Sequence, residues 1–168
     1  DDTLNIFQDM KPEEATFCWE MCIDTVLHTD MSKHFSMVSE IKFLHMKTSQ
    51  DGKEQEVMGV EILPFLMHMA DISNPARPRH TAIEWVDRAL EEFFEQGDEE
   101  KNLGLPISPL CDRLETKRAE SQVGFIKFVV QPAFEVLGMF IPKVEEEINP
   151  IIKSNLKFWE SGTASKSV

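Results

Sequence analysis

The residues able to do chemistry fall into two groups. The first is the octet His68-Met69-Ala70-Asp71-Ile72-Ser73-Asn74-Pro75. It follows an apolar run, Val60 to Met67, that predicts a buried helix, so Asp71 is set near the helix end, where the chain turns into Asn74-Pro75. A carboxylate there is costly to bury unless a metal, a base or backbone donors partner it. The octet also fits an Asp that caps the helix after a satisfied core histidine. The second group is Gln122 and Phe125, three apart and therefore on one face of a helix. An amide that both donates and accepts, beside a flat apolar ring, could grip a planar heterocycle by its edge and its face. Ala89, Phe93 and Phe94 on a neighbouring predicted helix could close such a slot. Both features, taken alone, are more often plain packing, a polar position beside a core Phe and a Phe stripe at helical spacing.

The chain has 168 residues, 42% hydrophobic and 28% charged, with 12 Phe and no Tyr, which suits one globular unit with a real core. Its formal net charge of -13 argues against a binder of nucleic acid polymers, whose phosphates are held by Lys and Arg surfaces. An anionic small ligand would need local cations or a metal. Cys18, Cys22 and Cys111 have no zinc-ribbon spacing, and Cys18 and Cys22 share one helix face, so all three read as reduced core thiols in a cytosolic setting. No apolar run approaches the roughly 18 to 20 residues that cross a bilayer, and no signal-peptide pattern opens the chain. The chain reads as soluble as given, and its start on Asp1 rather than Met leaves room for a longer protein with membrane segments elsewhere.

The elements that must position these residues are all helical. Pro12 with Glu13 and Glu14 marks a first turn, and Phe17, Cys18, Met21, Cys22 and Val26 follow at helical spacing, predicting a buried helix that ends near His28-Thr29-Asp30. Met31 to about Lys47 repeats the pattern with Phe35, Val38, Ile41 and Leu44 or His45 on one side. Ser49 to Lys53 reads as a polar loop. Glu56 to Met69 is apolar almost throughout and reads as a central helix, kinked or broken at Pro64. Thr81 and Glu84 have capping-box spacing, followed by a stripe of Ile83, Val86, Ala89, Leu90, Phe93 and Phe94 that Gly97 stops. Lys101 to Arg113 is a loop. Ser121 precedes a helix from Gln122 to about Gly138 with a bend at Pro132, and Pro142 opens a last helix through Trp159. No stretch alternates as a strand does, so the expectation is an all-α fold, a compact multi-helix bundle whose site is built from facing helix surfaces.

Several stretches together resemble the class I cyclic nucleotide phosphodiesterases. They are Thr29 to Phe35, His68 to Pro75, the run from Trp85 through Phe94 with Gln96-Gly97-Asp98, the loop Ile107 to Asp112, and Ser121 to Ile126. These blocks stand in the family's order and at its spacing, across roughly Leu4 to Trp159. The resemblance implies that residues 1–161 are the C-terminal portion of such a catalytic domain, part of its helix bundle, and that 162–168 are a disordered tail. It implies that Asp71 is one of the carboxylates that, with two His and another Asp, hold a zinc-like metal. Gln122 would then bond the purine edge and Phe125 stack on the ring, with Phe93 and the residue at position 89, here Ala89, as the opposing jaw. Met31, Asn74, Trp85 and Leu110 match positions lining the same pocket, and His68 and Asp30 are expected to support it from behind. The family hydrolyses a 3′,5′-cyclic phosphodiester to the 5′-monophosphate with two metals, zinc with magnesium or manganese, that activate a water and neutralise charge. A cyclic nucleotide substrate, a homodimer through the catalytic or an upstream regulatory region, and a cytoplasmic catalytic domain follow as expectations, with membrane association of a longer chain left open.

This sequence departs from the family in two respects. The patterns His-Asn-x-x-His and His-Asp-x-x-His, which carry the other metal ligands and the leaving-group acid, are absent, the histidines being His28, His34, His45, His68 and His80. One Asp does not hold a catalytic zinc, so the chain is expected to be inactive by itself and to contain no catalytic residue of its own. Position 89 is Ala where the family carries a larger aliphatic residue, predicting a wider slot. Asn74 resembles the residue of adenine-selective members and tilts the expectation slightly to cyclic AMP over cyclic GMP. The alternative, from another class, is a helical interaction or regulatory module that kept the fold and lost the metals.

Overall fold

The computed structural model describes residues 5–51 and 62–162 of the chain. The described residues form helices joined by turns, with no strand among them. The fold is all-α, as the sequence predicts. Its contacts cluster into two compact units, Asp1–Asp71 and Ile72–Val168.

In the first unit, α1 is Pro12–Leu27, α2 is His34–Asp51 and α3 is Leu63–Asp71. Pro12 opens α1 where a missing amide hydrogen does no harm, and Glu13 and Glu14 set negative charge at the positive end of the helix dipole. The expectation of a buried helix is corrected: no residue of α1 is buried, and Phe17 is 52% and Val26 63% exposed. Half-buried Cys18, Met21 and Thr25 make its inner face, and α1 packs on α3. Cys22 is exposed, so only Cys111 is a buried thiol.

The buried row of α2 is His34, Met37, Ile41 and Thr48, about one residue round from the predicted one, and Phe35 is 64% exposed. The inward position goes to His34 because it has a partner there, His68 of α3. Ser49 to Asp51, read as loop, continue α2, whereas Gly52 and Lys53 lie outside the described residues. Of the predicted central helix, 56–61 lie outside them too. Pro64 stands in the first turn of α3, where proline costs nothing.

In the second unit, α4 is Arg79–Asn102. It begins after Pro78, ahead of Thr81, so Thr81 and Glu84 lie within the helix and form no capping box. Gly97 does not stop it. This glycine is buried where the Cys111 carbonyl crosses α4, and a β-carbon would run into that backbone. The helix ends instead at Leu103 and Gly104, the latter at φ 69°, a value glycine adopts freely.

The next helical stretch is continuous through α5 (Arg118–Phe125), a π-helical segment (Ile126–Val130) and α6 (Gln131–Phe140). Pro132 lacks an amide hydrogen and its ring crowds the carbonyl four residues earlier. Widening the preceding turn to π geometry relieves that clash, so the predicted bend takes this form. The second π segment, Val144–Ile148, likewise comes just before Asn149-Pro150 at the start of α7 (Asn149–Glu160). By length and composition alone, Arg118–Phe140 could cross a membrane, against the expectation of no such run: it has 23 residues, and an 18-residue window within it has a mean hydropathy of 1.5. Its Ile126, Val130 and Ala133 are fully buried in the protein. Buried Asn155 of α7 donates through Nδ2 to the carbonyls of Pro75 and Arg77, both at 2.9 Å, and so pins the short 3-10 turn Asn74–Ala76. Gly162 closes the described chain in a turn, and the rest of the predicted tail, 163–168, lies outside the described residues.

Candidate functional site

Asp71 is the last residue of α3 and is exposed. Its carboxylate makes no hydrogen bond or ion pair among the described residues, so it caps no helix among them. His68, one turn earlier, is fully buried: Nε2 lies 2.8 Å from Nδ1 of His34, and Nδ1 makes no hydrogen bond of good geometry among the described residues. Burial holds the His68 pKa below the ordinary imidazole value, partly offset by the Asp71 charge and the His28 carbonyl. Asp30 is a cap. Its Oδ1 accepts from the Ser32 amide at 2.8 Å and starts the 3-10 turn Met31–Lys33, and these bonds keep its pKa low. Met31, in that turn, is largely exposed.

In the second unit Asn74 is held by the Asn155 clamp, and its own Oδ1 is buried without a partner among the described residues, an acceptor facing no donor. Trp85, Ala89 and Phe93, at intervals of four, form one exposed row on α4, beside the buried row Ala82, Val86 and Leu90. The guanidinium of Arg88 lies 5.5 Å above the Trp85 ring. Phe125 at the end of α5 and Leu110 of the preceding loop line the same cavity, of about 740 Å³. Gln122, one turn before Phe125, is half-buried, does not line that cavity, and makes no side-chain hydrogen bond among the described residues. Of the predicted residues, then, this cavity brings together Phe125 and Leu110. Ile107, Pro109 and Val129 add apolar wall, while Asp112, Glu115 and Glu120 outnumber the one cation, Lys117, which pairs with Glu120 at 3.0 Å. Such a lining suits a flat, weakly polar group and repels a phosphate.

Sequence reasoning missed what holds the loop. Glu100 of α4 accepts from both the amide and the hydroxyl of Ser108, each at 2.6 Å, and from Gln96 Nε2 at 2.8 Å; these bonds hold its carboxyl below the usual range. Arg113 reaches Glu91 at 3.1 Å and Asp98 at 3.0 Å and lies over the Phe94 ring. Between these two anchors the chain passes Gly97 and Leu110 takes φ 67°, an uncommon value for a residue with a side chain. The glycine and prolines of 104–109 signalled a loop, but nothing in the sequence marked Glu100 as its clamp.

The donors for a metal do not assemble. Among the described residues no three His, Cys, Asp or Glu side chains stand close enough to hold an ion. Asp71 can supply one ligand, and the described residues do not form a metal site by themselves.

Helices and turns without a strand among the described residues, one cavity of apolar walls between a loop and a helix among them, define the class: an all-α fold. Comparison with known proteins gives the family. The family model described as 3'5'-cyclic nucleotide phosphodiesterase matches residues 1–151, and the chain belongs to that family. It is 39% identical over 157 residues to the dual specificity calcium/calmodulin-dependent 3',5'-cyclic nucleotide phosphodiesterase 1B of Cricetulus griseus, covering 94% of this chain and 28% of that protein. It is 34% identical over 170 residues to the 3',5'-cyclic-AMP phosphodiesterase 4C of Mus musculus, covering 95% and 24%. Among solved structures, that of LmjPDEB1 in complex with IBMX is similar, with a TM-score of 0.86 and 28% identity over 99% of this chain and 49% of that one. The phosphodiesterase domain of Salpingoeca rosetta rhodopsin phosphodiesterase is also similar, with a TM-score of 0.82 and 27% identity over 96% and 49%. The chain thus spans about a quarter of these curated relatives and about half of the solved chains.

Proposed function

We infer that this chain is the C-terminal portion of a catalytic domain that hydrolyses 3′,5′-cyclic nucleotides to 5′-monophosphates at a two-metal site. It supplies the purine slot and one metal ligand, Asp71. Phe125 stacks on the base, the free amide of Gln122 bonds its edge, and the Trp85, Ala89 and Phe93 row supplies the opposing jaw. Asn74 offers its unpartnered oxygen to an amino group, which suits cyclic AMP. The zinc and the magnesium or manganese take their remaining ligands from parts of the domain outside these residues. The observation that carries this reading is the family match over residues 1–151, in which Phe125 lies at a cavity whose lining suits a base and not a phosphate.

The test is hydrolysis of cyclic AMP and cyclic GMP with both metals present. The 168-residue chain alone is expected to show no turnover, and the same chain joined to the His-bearing half of the domain to show it. Asp71→Ala in the joined protein is expected to lower bound metal and turnover together. A joined, metal-loaded protein without turnover would favour the regulatory module.

A further inference from the structure

Within the second unit, a buried amide of α7 governs the backbone that carries Asn74. Asn155 is 2% exposed, and its Nδ2 donates to the carbonyls of Pro75 and Arg77, 80 and 78 residues earlier in the chain, each at 2.9 Å. An amide nitrogen carries two hydrogens, so this one side chain directs both its donors at a single turn. Pro75 is buried, with φ fixed by its ring. The turn also closes on itself, the Ala76 amide donating to the Ser73 carbonyl at 2.8 Å and the Arg77 amide to the Asn74 carbonyl at 3.2 Å. The Asn74 side chain therefore projects from backbone whose position is set from α7.

That position has a consequence for Asn74, whose Oδ1 is buried without a donor among the described residues. A buried acceptor left unpaired is destabilising, and an asparagine on a loose turn would swing its amide to water or to a donor. Backbone held on a buried clamp keeps the oxygen in place, ready for an N–H from a ligand. Adenine presents an amino group at the edge where guanine presents a carbonyl oxygen. A fixed acceptor set against that carbonyl leaves both oxygens unpaired, the kind of mismatch that discriminates strongly between ligands. We propose that Asn155 is a positioning residue for nucleotide selectivity: by clamping the Asn74–Ala76 turn, it holds the Asn74 oxygen as an acceptor for an adenine amino group. This rests on the reading of Asn74 as part of the base pocket.

Two measurements test the inference. In the 168-residue chain, Asn155→Ala is expected to quicken amide exchange at Ala76 and Arg77 while Val86 and Leu90 inside α4 stay protected, and unchanged exchange at the turn would overturn the proposal. In the complete, metal-loaded domain, Asn155→Ala is expected to lower the ratio of kcat/KM for cyclic AMP over cyclic GMP at least about fivefold, mostly through KM for cyclic AMP. Asn155→Ser, a milder change that keeps one donor, is expected to fall between. Ile152→Ala, at a fully buried position of the same helix, is expected to lower stability and leave the ratio as it was. Asn74→Ala is expected to lower the ratio, and the double substitution Asn74→Ala with Asn155→Ala to lower it no further, since one residue acts through the other. A domain without preference for adenine, equal loss for the two nucleotides, or additive effects of the two substitutions would each overturn the proposal. A domain that hydrolyses neither nucleotide counts against the proposed activity instead, and the same ratio is then read from its affinities for adenosine and guanosine 5′-monophosphate.

Discussion

Nδ1 of His34 and Nε2 of His68 stand 2.8 Å apart with both rings buried, and their bond joins α2 to α3 within the first unit. One nitrogen must donate and the other accept, so at least one of the two rings is neutral.

Acid should therefore loosen this unit. The His68 pKa is lowered, first by burial, from the ordinary 6.5. As pH falls through that value the unfolded chain takes up a proton that the folded chain refuses, so stability is full above 6.5 and declines below it. The urea midpoint is expected to be lower at about pH 5.5 than at about pH 7.5, and His68→Gln to reduce the difference. Equal pH dependence in the two proteins would exclude the histidine pair as its source.

The two glycines at 97 and 124 should respond in opposite directions. A methyl at Gly97 meets the Cys111 carbonyl, backbone that cannot swing aside. Gly97→Ala is expected to cost about 2 kcal/mol in denaturant unfolding. Nothing lies within 4 Å of a β-carbon on Gly124, in α5, so Gly124→Ala is expected to gain roughly 0.5 to 1 kcal/mol from helix propensity. Similar midpoints for both variants would remove the close-approach account of Gly97.

Glu100 is expected to be the residue on which the order of the loop depends. Glu100→Gln loses the charge that holds Ser108, and amide exchange at Ser108 should quicken while the interior of α4 stays protected. The lowered Glu100 pKa means that its contribution is present above the ordinary 4.5 and is lost as pH falls through the folded value. Unchanged exchange at Ser108 would show that Arg113 and the Gly97 contact suffice.

Ala89→Leu should narrow the proposed slot. Each buried methylene is worth about 0.8 kcal/mol, so the complete domain carrying this substitution is expected to bind the product, adenosine 5′-monophosphate, several-fold more tightly, measured by calorimetry with the metals present. The same affinity with Ala and Leu would mean that position 89 does not face the base.

Much of this protein was legible in its sequence. Helical spacing alone gave the all-α fold, the Pro12 start of α1, and Asp71 at a helix end, because these depend on local geometry and backbone chemistry. The family blocks gave Phe125 and Leu110 as neighbours of one cavity. The errors share a cause, that local pattern cannot say what lies on the far side of a helix. Phe17 and Phe35 read as core because they are apolar at the right interval, yet His34 takes the inward position on α2 by pairing with His68, 34 residues away. Gly97 read as a stop because glycine ends helices, yet it serves the passage of Cys111, a contact fixed only when the loop folds back on α4. Sequence determines which residues can form helices and which atoms can accept or donate; tertiary structure decides which face of each helix is buried and which of those atoms find partners, since both depend on chain segments distant in sequence.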